Sequence, residues 1–161
     1  HGIAVVSRRE GLGFDTPILS DTAPLHDLVE AMLSASDGIH CLRDPTRGGL
    51  ATTLNEIAAS SDVGMLLNEN AVPVREPVAG LCELLGFDPL YVACEGRLVA
   101  IVDPGCSDAV LESMHGHVLG REAVVIGSVT SEHSNAVVMR TCVGGTRIVD
   151  VLSGEQLPRI C

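Results

Sequence analysis

Aromatic side chains are almost missing from this sequence of 161 residues, which has no Trp, one Tyr and two Phe. Hydrophobic residues nevertheless make up 46% of it, so the core must be built mainly from aliphatic side chains. A chain of this length can bury a sizeable core and offset the entropy that folding costs. We therefore expect one ordered domain rather than a disordered chain.

Basic residues are also scarce, because 10 Lys and Arg stand against 21 Asp and Glu, a formal net charge of −11. Binding a nucleic-acid backbone needs clustered Lys and Arg, and single-strand binding usually adds stacking aromatics. We therefore exclude a nucleic-acid partner. There is also no apolar run long enough to span a membrane and no room for a signal peptide before the first structured segment, so we expect no membrane contact.

The six cysteines form no CxxC pair, and the six histidines are equally scattered. Cys82 falls in an apolar helical pattern and Cys41 in a predicted strand, where a thiol behaves as a small hydrophobe. We favour reduced thiols and a cytoplasmic setting. His115 and His117 form a His-x-His pattern, but no cysteine or carboxylate ligands lie nearby, so we interpret them as solvated residues at a helix end rather than a metal site.

The hydrophobic pattern predicts strands and helices that interleave along the chain. Asp21 and Thr22 are interpreted as helix-start signals without a chemical role. Predicted helices follow residue 24, begin after residue 49, and cover 76–85 and 107–114; predicted strands cover 3–7, 39–42, 64–67, 90–93, 97–102, 124–129, 136–141 and 147–152. The last two strands are expected to form a hairpin around Gly144 and Gly145.

No helices separate the final three predicted strands, so a purely parallel sheet does not fit the pattern. The sequence predicts an α/β domain with a mixed β-sheet packed by helices. We assign residues 1–152 to this domain and residues 153–161 to a flexible C-terminal tail. The alternative for the tail is a frayed end whose final Cys161 is incidental, although Leu157 and Ile160 are not needed in a solvated end.

Two internal segments carry candidate chemistry. The first is the loop 44–49, whose residues Asp44, Thr46, Arg47, Gly48 and Gly49 lead into a helix. Such a loop is suited to bind an anion. Its glycines let backbone N–H groups approach the anion, and the helix N-terminus and the arginine supply positive charge. The alternative is an ordinary turn in which Asp44 or Thr46 caps the helix.

The second segment is the turn at 93–96, which places Glu95 beside a glycine between two predicted strands. Such a carboxylate is often only a solvated turn residue. Alternatively, it serves as a general base if the fold places it against a substrate.

Together and in this order, the segments resemble the HypE family of hydrogenase maturation factors, the carbamoyl dehydratases. The matching segments are HGIAV at 1–5, RDPTRGG at 43–49, LNEIA at 54–58, LGFDPL at 85–90, ACEGR at 93–97 and LPRIC at 157–161. The resemblance covers essentially the whole chain, and its ending is the most specific part. Aminoimidazole ribonucleotide (AIR) synthetase and selenophosphate synthetase share the implied fold, that of the AIR synthetase C-terminal domain, but not the ending.

The resemblance implies that a HypF-type carbamoyltransferase loads a carbamoyl group onto Cys161. ATP-dependent dehydration then leaves a thiocyanate, and the cyano group passes to iron on a HypC–HypD complex for a [NiFe] hydrogenase. It implies that Glu95 accepts a proton during dehydration, that the loop 44–49 faces the nucleotide, and that the full-length protein is a cytoplasmic homodimer. ATP and Mg²⁺ would be bound mainly by an N-terminal half absent here, so we expect this chain alone to bind no cofactor and to be inactive.

One position departs from the family pattern, which has Asn where this chain has Cys94, so any role of that amide is missing. Two alternatives from other classes stay open. One is a non-catalytic docking or dimerisation domain, and the other is an AIR synthetase-like ATP-dependent enzyme of another pathway. Neither needs a cysteine at position 161.

Overall fold

The computed structural model describes residues 1–11 and 18–151 and has helices and strands that alternate along most of the chain. The helices are α1 (Gly2–Arg9), α2 (His26–Ala35), α3 (Gly49–Ser61), α4 (Glu76–Leu85) and α5 (Ser107–Gly116). The strands are β1 (Ile39–Arg43), β2 (Gly64–Asn68), β3 (Val99–Val102), β4 (Gly127–Thr130), β5 (Val137–Arg140) and β6 (Thr146–Ile148). Short 3₁₀ helices lie at Glu69–Ala71, Pro89–Tyr91 and Pro104–Cys106.

The larger sheet has four strands in the order β4-β2-β5-β6. Strand β2 runs parallel to β5, whereas the β2–β4 and β5–β6 pairs are antiparallel. The sheet is therefore mixed, as the sequence predicted, and β5 and β6 form the expected hairpin. The α/β fold class is confirmed.

Helix α3 and one face of this sheet enclose the main core. The buried side chains of that core are Ala51, Leu54, Ile57, Ala58, Met65, Leu67, Leu90, Val99, Val137, Met139 and Val149. One buried polar group, Asn55, ties the helix to the end of the sheet, because its amide donates to the carbonyls of Ala51 (2.9 Å) and Val149 (2.8 Å). Buried polar groups with such partners stabilise one arrangement of a core.

Strands β1 and β3 form a separate antiparallel pair, against which α2 and α5 pack. Their core is centred on Leu28, Met32 and Val110. Strand β3 is shorter than predicted, since it begins at Val99 rather than at residue 97.

The predicted strand at 3–7 is wrong, because these residues lie in helix α1. A run of β-branched residues favours a strand locally, but Ile3 and Val6 also recur at helical spacing and are both buried. Ile3 packs with Leu81 and Cys82 of α4. Tertiary packing therefore outweighs the local preference.

The predicted strand at 90–93 is also wrong. Its first residues lie in the 3₁₀ helix Pro89–Tyr91, where the Asp88 side chain accepts the Leu90 N–H (2.9 Å). Proline at the first helical position has its φ fixed and no N–H to offer a strand partner. The segment therefore turns instead of extending.

None of the helices within the described residues is both long and apolar enough to cross a membrane.

Candidate functional site

The structure brings the turn 93–96 and the loop 44–49 together, although about fifty residues separate them in sequence. The Cys94 N–H donates to the Pro45 carbonyl (3.0 Å). Close by, Gly49 lies against the backbone of 90–92, since a Cβ there would approach the Leu90 carbonyl oxygen to 2.5 Å. Only glycine fits this crossing, and its φ of +61° also favours glycine.

Asp21 holds the turn from a third segment. Its Oδ1 accepts the backbone N–H of Glu95 (3.2 Å) and a hydrogen bond from the backbone nitrogen of His1 (2.8 Å). Its Oδ2 lies 3.6 Å from Nε of Arg97, and only 14% of the Asp21 side chain is exposed. Burial works to raise the pKa of Asp21, whereas the hydrogen bond from the Glu95 N–H works to lower it.

The interpretation of Asp21 and Thr22 as the start of α2 is therefore wrong. Helix α2 begins at His26 without a side-chain cap. The Asp21 carboxylate instead faces the turn, and Thr22 donates its N–H to Ser20 Oγ (3.2 Å). An Asp ahead of a helix commonly caps its N-terminus. Nothing in the sequence showed that the Glu95 N–H would lie close enough to bind the Asp21 carboxylate instead.

The Glu95 side chain is half-buried. Its backbone N–H is fixed by Asp21, whereas its carboxylate has no hydrogen-bond or ion-pair partner within residues 1–11 and 18–151. A carboxylate on a fixed backbone with its oxygens unengaged is suited to accept a proton from a bound group. A solvated turn residue would show the same geometry, so the role of Glu95 as a general base stays a prediction.

The loop 44–49 ends in two glycines with positive φ, Gly48 (+72°) and Gly49 (+61°). Gly48 occupies the N-cap position of α3, and no side chain caps the helix, so the alternative in which Asp44 or Thr46 is the cap is wrong. Arg47 is exposed beside this uncapped end. A helix N-terminus with an adjacent arginine favours negative charge, and the anion site at this loop stays a prediction.

Five cysteines lie in the described residues, and all five are free thiols. Burial, followed by the charge of Asp21, raises the pKa of Cys94. Burial also raises the pKa of Cys82, and a hydrogen bond to Glu69 raises that of Cys142. These three thiols are therefore protonated near neutral pH and are poor nucleophiles. Cys161, the predicted carrier, lies outside the described residues, as does the rest of the tail.

His115 and His117 lie at the end of α5, as predicted. His115 Nε2 pairs with the Ala123 carbonyl (2.7 Å), and His117 Nδ1 accepts the Leu119 N–H (3.2 Å). Across the described ranges, no cluster of three or more His, Cys, Asp or Glu side chains could hold a metal ion.

Comparisons with known proteins point to one family. Residues 1–140 match the family described as AIR synthase related protein, C-terminal domain. The carbamoyl dehydratase HypE of Cupriavidus necator is 61% identical over 161 residues, which are 100% of this chain and 46% of that protein. The chain thus spans about half the length of the curated relatives that it matches.

Two solved structures are similar over nearly the whole chain. A hydrogenase maturation protein HypE in complex with ATP has a TM-score of 0.93 and 46% identity, and the match covers 100% of this chain and 49% of that one. A HypE–HypF complex has a TM-score of 0.89 and 45% identity, with 94% of this chain and 49% of that one covered.

Proposed function

The chain belongs to the AIR synthase related protein C-terminal domain family, and we propose that it is the C-terminal half of a HypE-type carbamoyl dehydratase. The similarity to HypE over all 161 residues supports this proposal. The observation in the structure that carries it is Glu95, whose backbone is fixed while its carboxylate is unengaged among the described residues.

In the proposed reaction, the Cys161 thiolate carries a carbamoyl group as a thiocarbamate, S–C(=O)–NH₂. Dehydration to the thiocyanate, S–C≡N, removes the amide oxygen and both N–H protons. ATP, when bound, supplies activation of that oxygen, which leaves as part of phosphate. Glu95 accepts one N–H proton and the departing phosphate takes up the other, and the contribution of Glu95 is of the size usual for a positioned base, about 10²–10⁴-fold. The cyano group is then transferred to the iron of the HypC–HypD partner, and this reduced iron centre supplies the two electrons that return Cys161 to a thiolate.

Cys161 is proposed as the carrier on the basis of the sequence ending, LPRIC, that it shares with the HypE pattern. The chemistry of three of the other five cysteines supports the choice. Thiolates, not thiols, attack carbonyl compounds, and the raised pKa values of Cys82, Cys94 and Cys142 disfavour their thiolates.

The loop 44–49 is proposed to face the nucleotide. The α3 N-terminus has no side-chain cap, and the exposed Arg47 adds a positive charge, so this end of the helix fits an anion. Because the chain spans about half the length of the relatives that it matches, we propose that the remaining half of the full-length protein binds most of the ATP and the Mg²⁺.

The proposed partners are a HypF-type carbamoyltransferase, a HypC–HypD complex that accepts the cyano group, and a second copy of the full-length protein. The solved HypE–HypF complex supports the first of these, because it matches 94% of this chain. The free thiols are consistent with a reducing, cytoplasmic setting.

The test is to incubate the full-length protein with HypF, carbamoyl phosphate and ATP, and to measure its intact mass and the position of the label. We expect a carbamoyl-derived group on Cys161 and none in a Cys161→Ala variant. A label on Cys94 or Cys41, or an unchanged label in the variant, would overturn the assignment.

Calorimetry tests which half of the full-length protein binds ATP. The isolated 161-residue chain is expected to bind ATP negligibly, whereas the full-length protein binds it. Tight, magnesium-dependent binding of ATP to the isolated chain would place the nucleotide site in this domain and contradict the proposal.

A further inference from the structure

Asp21 contacts the turn of Glu95 with both its side chain and its backbone. The carboxylate accepts the Glu95 N–H (3.2 Å) and lies 3.6 Å from Nε of Arg97. The Asp21 carbonyl oxygen occupies the space that a Cβ on Gly96 would need. Three consecutive residues, 95 to 97, are therefore held against a single aspartate.

The segment that carries Asp21 is itself fixed by short polar contacts. His1 Nδ1 pairs with Ser20 Oγ (2.9 Å), and Ser20 Oγ lies 2.7 Å from Thr22 Oγ1. Because only 14% of the Asp21 side chain is exposed, its hydrogen bonds are shielded from competing water. Asp21 thus provides a largely buried, hydrogen-bonded support for the turn.

The contact with Arg97 has a second consequence. Arg97 is two residues from Glu95, and within the described residues the Glu95 carboxylate has no cationic partner. Without Asp21, Arg97 would be free to form an ion pair with the Glu95 carboxylate. The guanidinium would then bind the carboxylate oxygens that must accept a proton. Asp21 therefore both fixes the backbone of Glu95 and holds the neighbouring cation.

We propose that Asp21 is a positioning residue for Glu95, which holds the Glu95 backbone in place and keeps its carboxylate unpaired for proton transfer. This inference rests on the proposed function, in which Glu95 is the base. It predicts that Asp21 acts on dehydration through Glu95 and has no separate effect on that step.

A double-mutant cycle in the full-length protein tests this inference. The dehydration rate of the Cys161 adduct is measured for the parent, Asp21→Ala, Glu95→Gln and the double variant. We expect Asp21→Ala to slow dehydration about tenfold in the parent, within the range found for contacting residues, and to have no further effect when Glu95 is already Gln. Equal slowing in both backgrounds would show a merely structural role and overturn the inference.

Asp21→Asn keeps an oxygen that can accept the Glu95 N–H but releases Arg97, so a folded protein is expected with dehydration slowed by a factor between those of the parent and Asp21→Ala. Wild-type dehydration in this folded variant would also overturn the inference. Asp88→Ala is the matched control, because Asp88 likewise binds a backbone N–H (Leu90, 2.9 Å) and an arginine (Arg147, 2.7 Å). Its dehydration rate should remain at the parent value.

The cycle separates this inference from the proposed function. If Glu95→Gln itself dehydrates the adduct at the parent rate, Glu95 is not the base and both proposals fail. If Glu95→Gln is slow while Asp21→Ala is at the parent rate, only the role of Asp21 is wrong.

Discussion

Two aspartates in this domain make the same pair of contacts in different settings. Asp21 binds the Glu95 N–H and Arg97, and Asp88 binds the Leu90 N–H and Arg147. Beside Asp88, Tyr91 donates its hydroxyl to the Asp150 carbonyl (2.8 Å), so that side chain is also engaged. Beside Asp21, the Glu95 carboxylate has no such partner in the described residues.

The same pair of aspartate contacts thus occurs in two settings, one in the structural framework and one at the proposed site. Around Asp88, backbone and side chains are all bound, which joins the 3₁₀ helix Pro89–Tyr91 to β6 and the residues after it. Around Asp21, the backbone of Glu95 and the side chain of Arg97 are bound, whereas the Glu95 carboxylate has no partner among the described residues. The contacts of the aspartate alone therefore do not mark a site, and the assignment at Asp21 depends on the proposed role of Glu95.

The largest expected effect on stability is at Gly49, where α3 crosses the segment between the two aspartate sites. Gly49→Ala places a Cβ 2.5 Å from the Leu90 carbonyl and 2.7 Å from that of Val92, at a φ of +61°. Strain and overpacking together should cost about 2–5 kcal/mol. Gly86→Ala is the control, because its φ is similar (+70°) but nothing lies within 4 Å of the added Cβ.

Urea unfolding of the 161-residue chain compares the two variants. Gly86→Ala should cost about 1–2 kcal/mol, the penalty for the left-handed conformation alone. If the two variants are equally stable, the close crossing at Gly49 does not exist in solution.

Asp88→Ala should have an intermediate effect on stability. It removes the acceptor for the Leu90 N–H and the ion pair with Arg147, whose side chain is 38% exposed. A lost cap costs about 1 kcal/mol and a partly exposed ion pair at most about 1 kcal/mol more. We expect a total of about 1–2 kcal/mol in the same unfolding assay. Asp88→Asn, which keeps the acceptor, should lose roughly half as much, and equal losses would contradict a separate role for the hydrogen bond.

Asp62 gives the smallest expected effect, because it is exposed and has no arginine. Its Oδ1 accepts from Ser134 Oγ (2.6 Å) and Asn135 Nδ2 (2.8 Å), and these hydrogen bonds lower its pKa. Because the pKa is lower in the folded state, the Asp62 carboxylate stabilises the fold at pH values above its unfolded-state pKa, which is near 3.8. This stabilisation is lost as the pH falls through the pKa of the folded state.

Asp62→Asn keeps a residue tolerant of the left-handed φ of 53° but does not titrate. Its stability should fall slightly below that of the parent at neutral pH and converge with it in acid. A difference that persists or grows below pH 3.8 would mean that another group causes the acid dependence.

Local patterns in the sequence were enough to predict α4, which covers Glu76–Leu85 and ends at Gly86 as expected. The helix that begins after residue 49 was also predicted from its hydrophobic periodicity, and the β5–β6 hairpin from its glycines. Both signals depend only on residues that are close together in sequence. The strand predicted at 3–7 was wrong because packing against α4, which is distant in sequence, favours a helix there. The strand predicted at 90–93 was wrong because the Asp88 side chain binds the Leu90 N–H and stabilises a turn. Periodicity cannot show such contacts.

The same reasoning applies to the site. Glu95 and the loop 44–49 could be chosen from motif and resemblance, because their residue types suit the chemistry. Their proximity through the Cys94–Pro45 hydrogen bond, and the support from Asp21, depend on three segments meeting in the folded chain. A spacing of 74 residues between Asp21 and Glu95 leaves no signal in a single sequence.

The most direct measurement of the central claim is the fate of the Cys161 adduct in Glu95→Gln, a change that keeps size and hydrogen-bonding reach but removes proton-accepting capacity. With HypF, carbamoyl phosphate and ATP, the full-length variant should become carbamoylated, and dehydration should slow by about a hundredfold or more. The carbamoyl adduct then accumulates and thiocyanate is missing, while Glu83→Gln, an exposed residue of α4, behaves as the parent. Thiocyanate formed at the parent rate in Glu95→Gln would contradict the account and leave Glu95 as a turn residue.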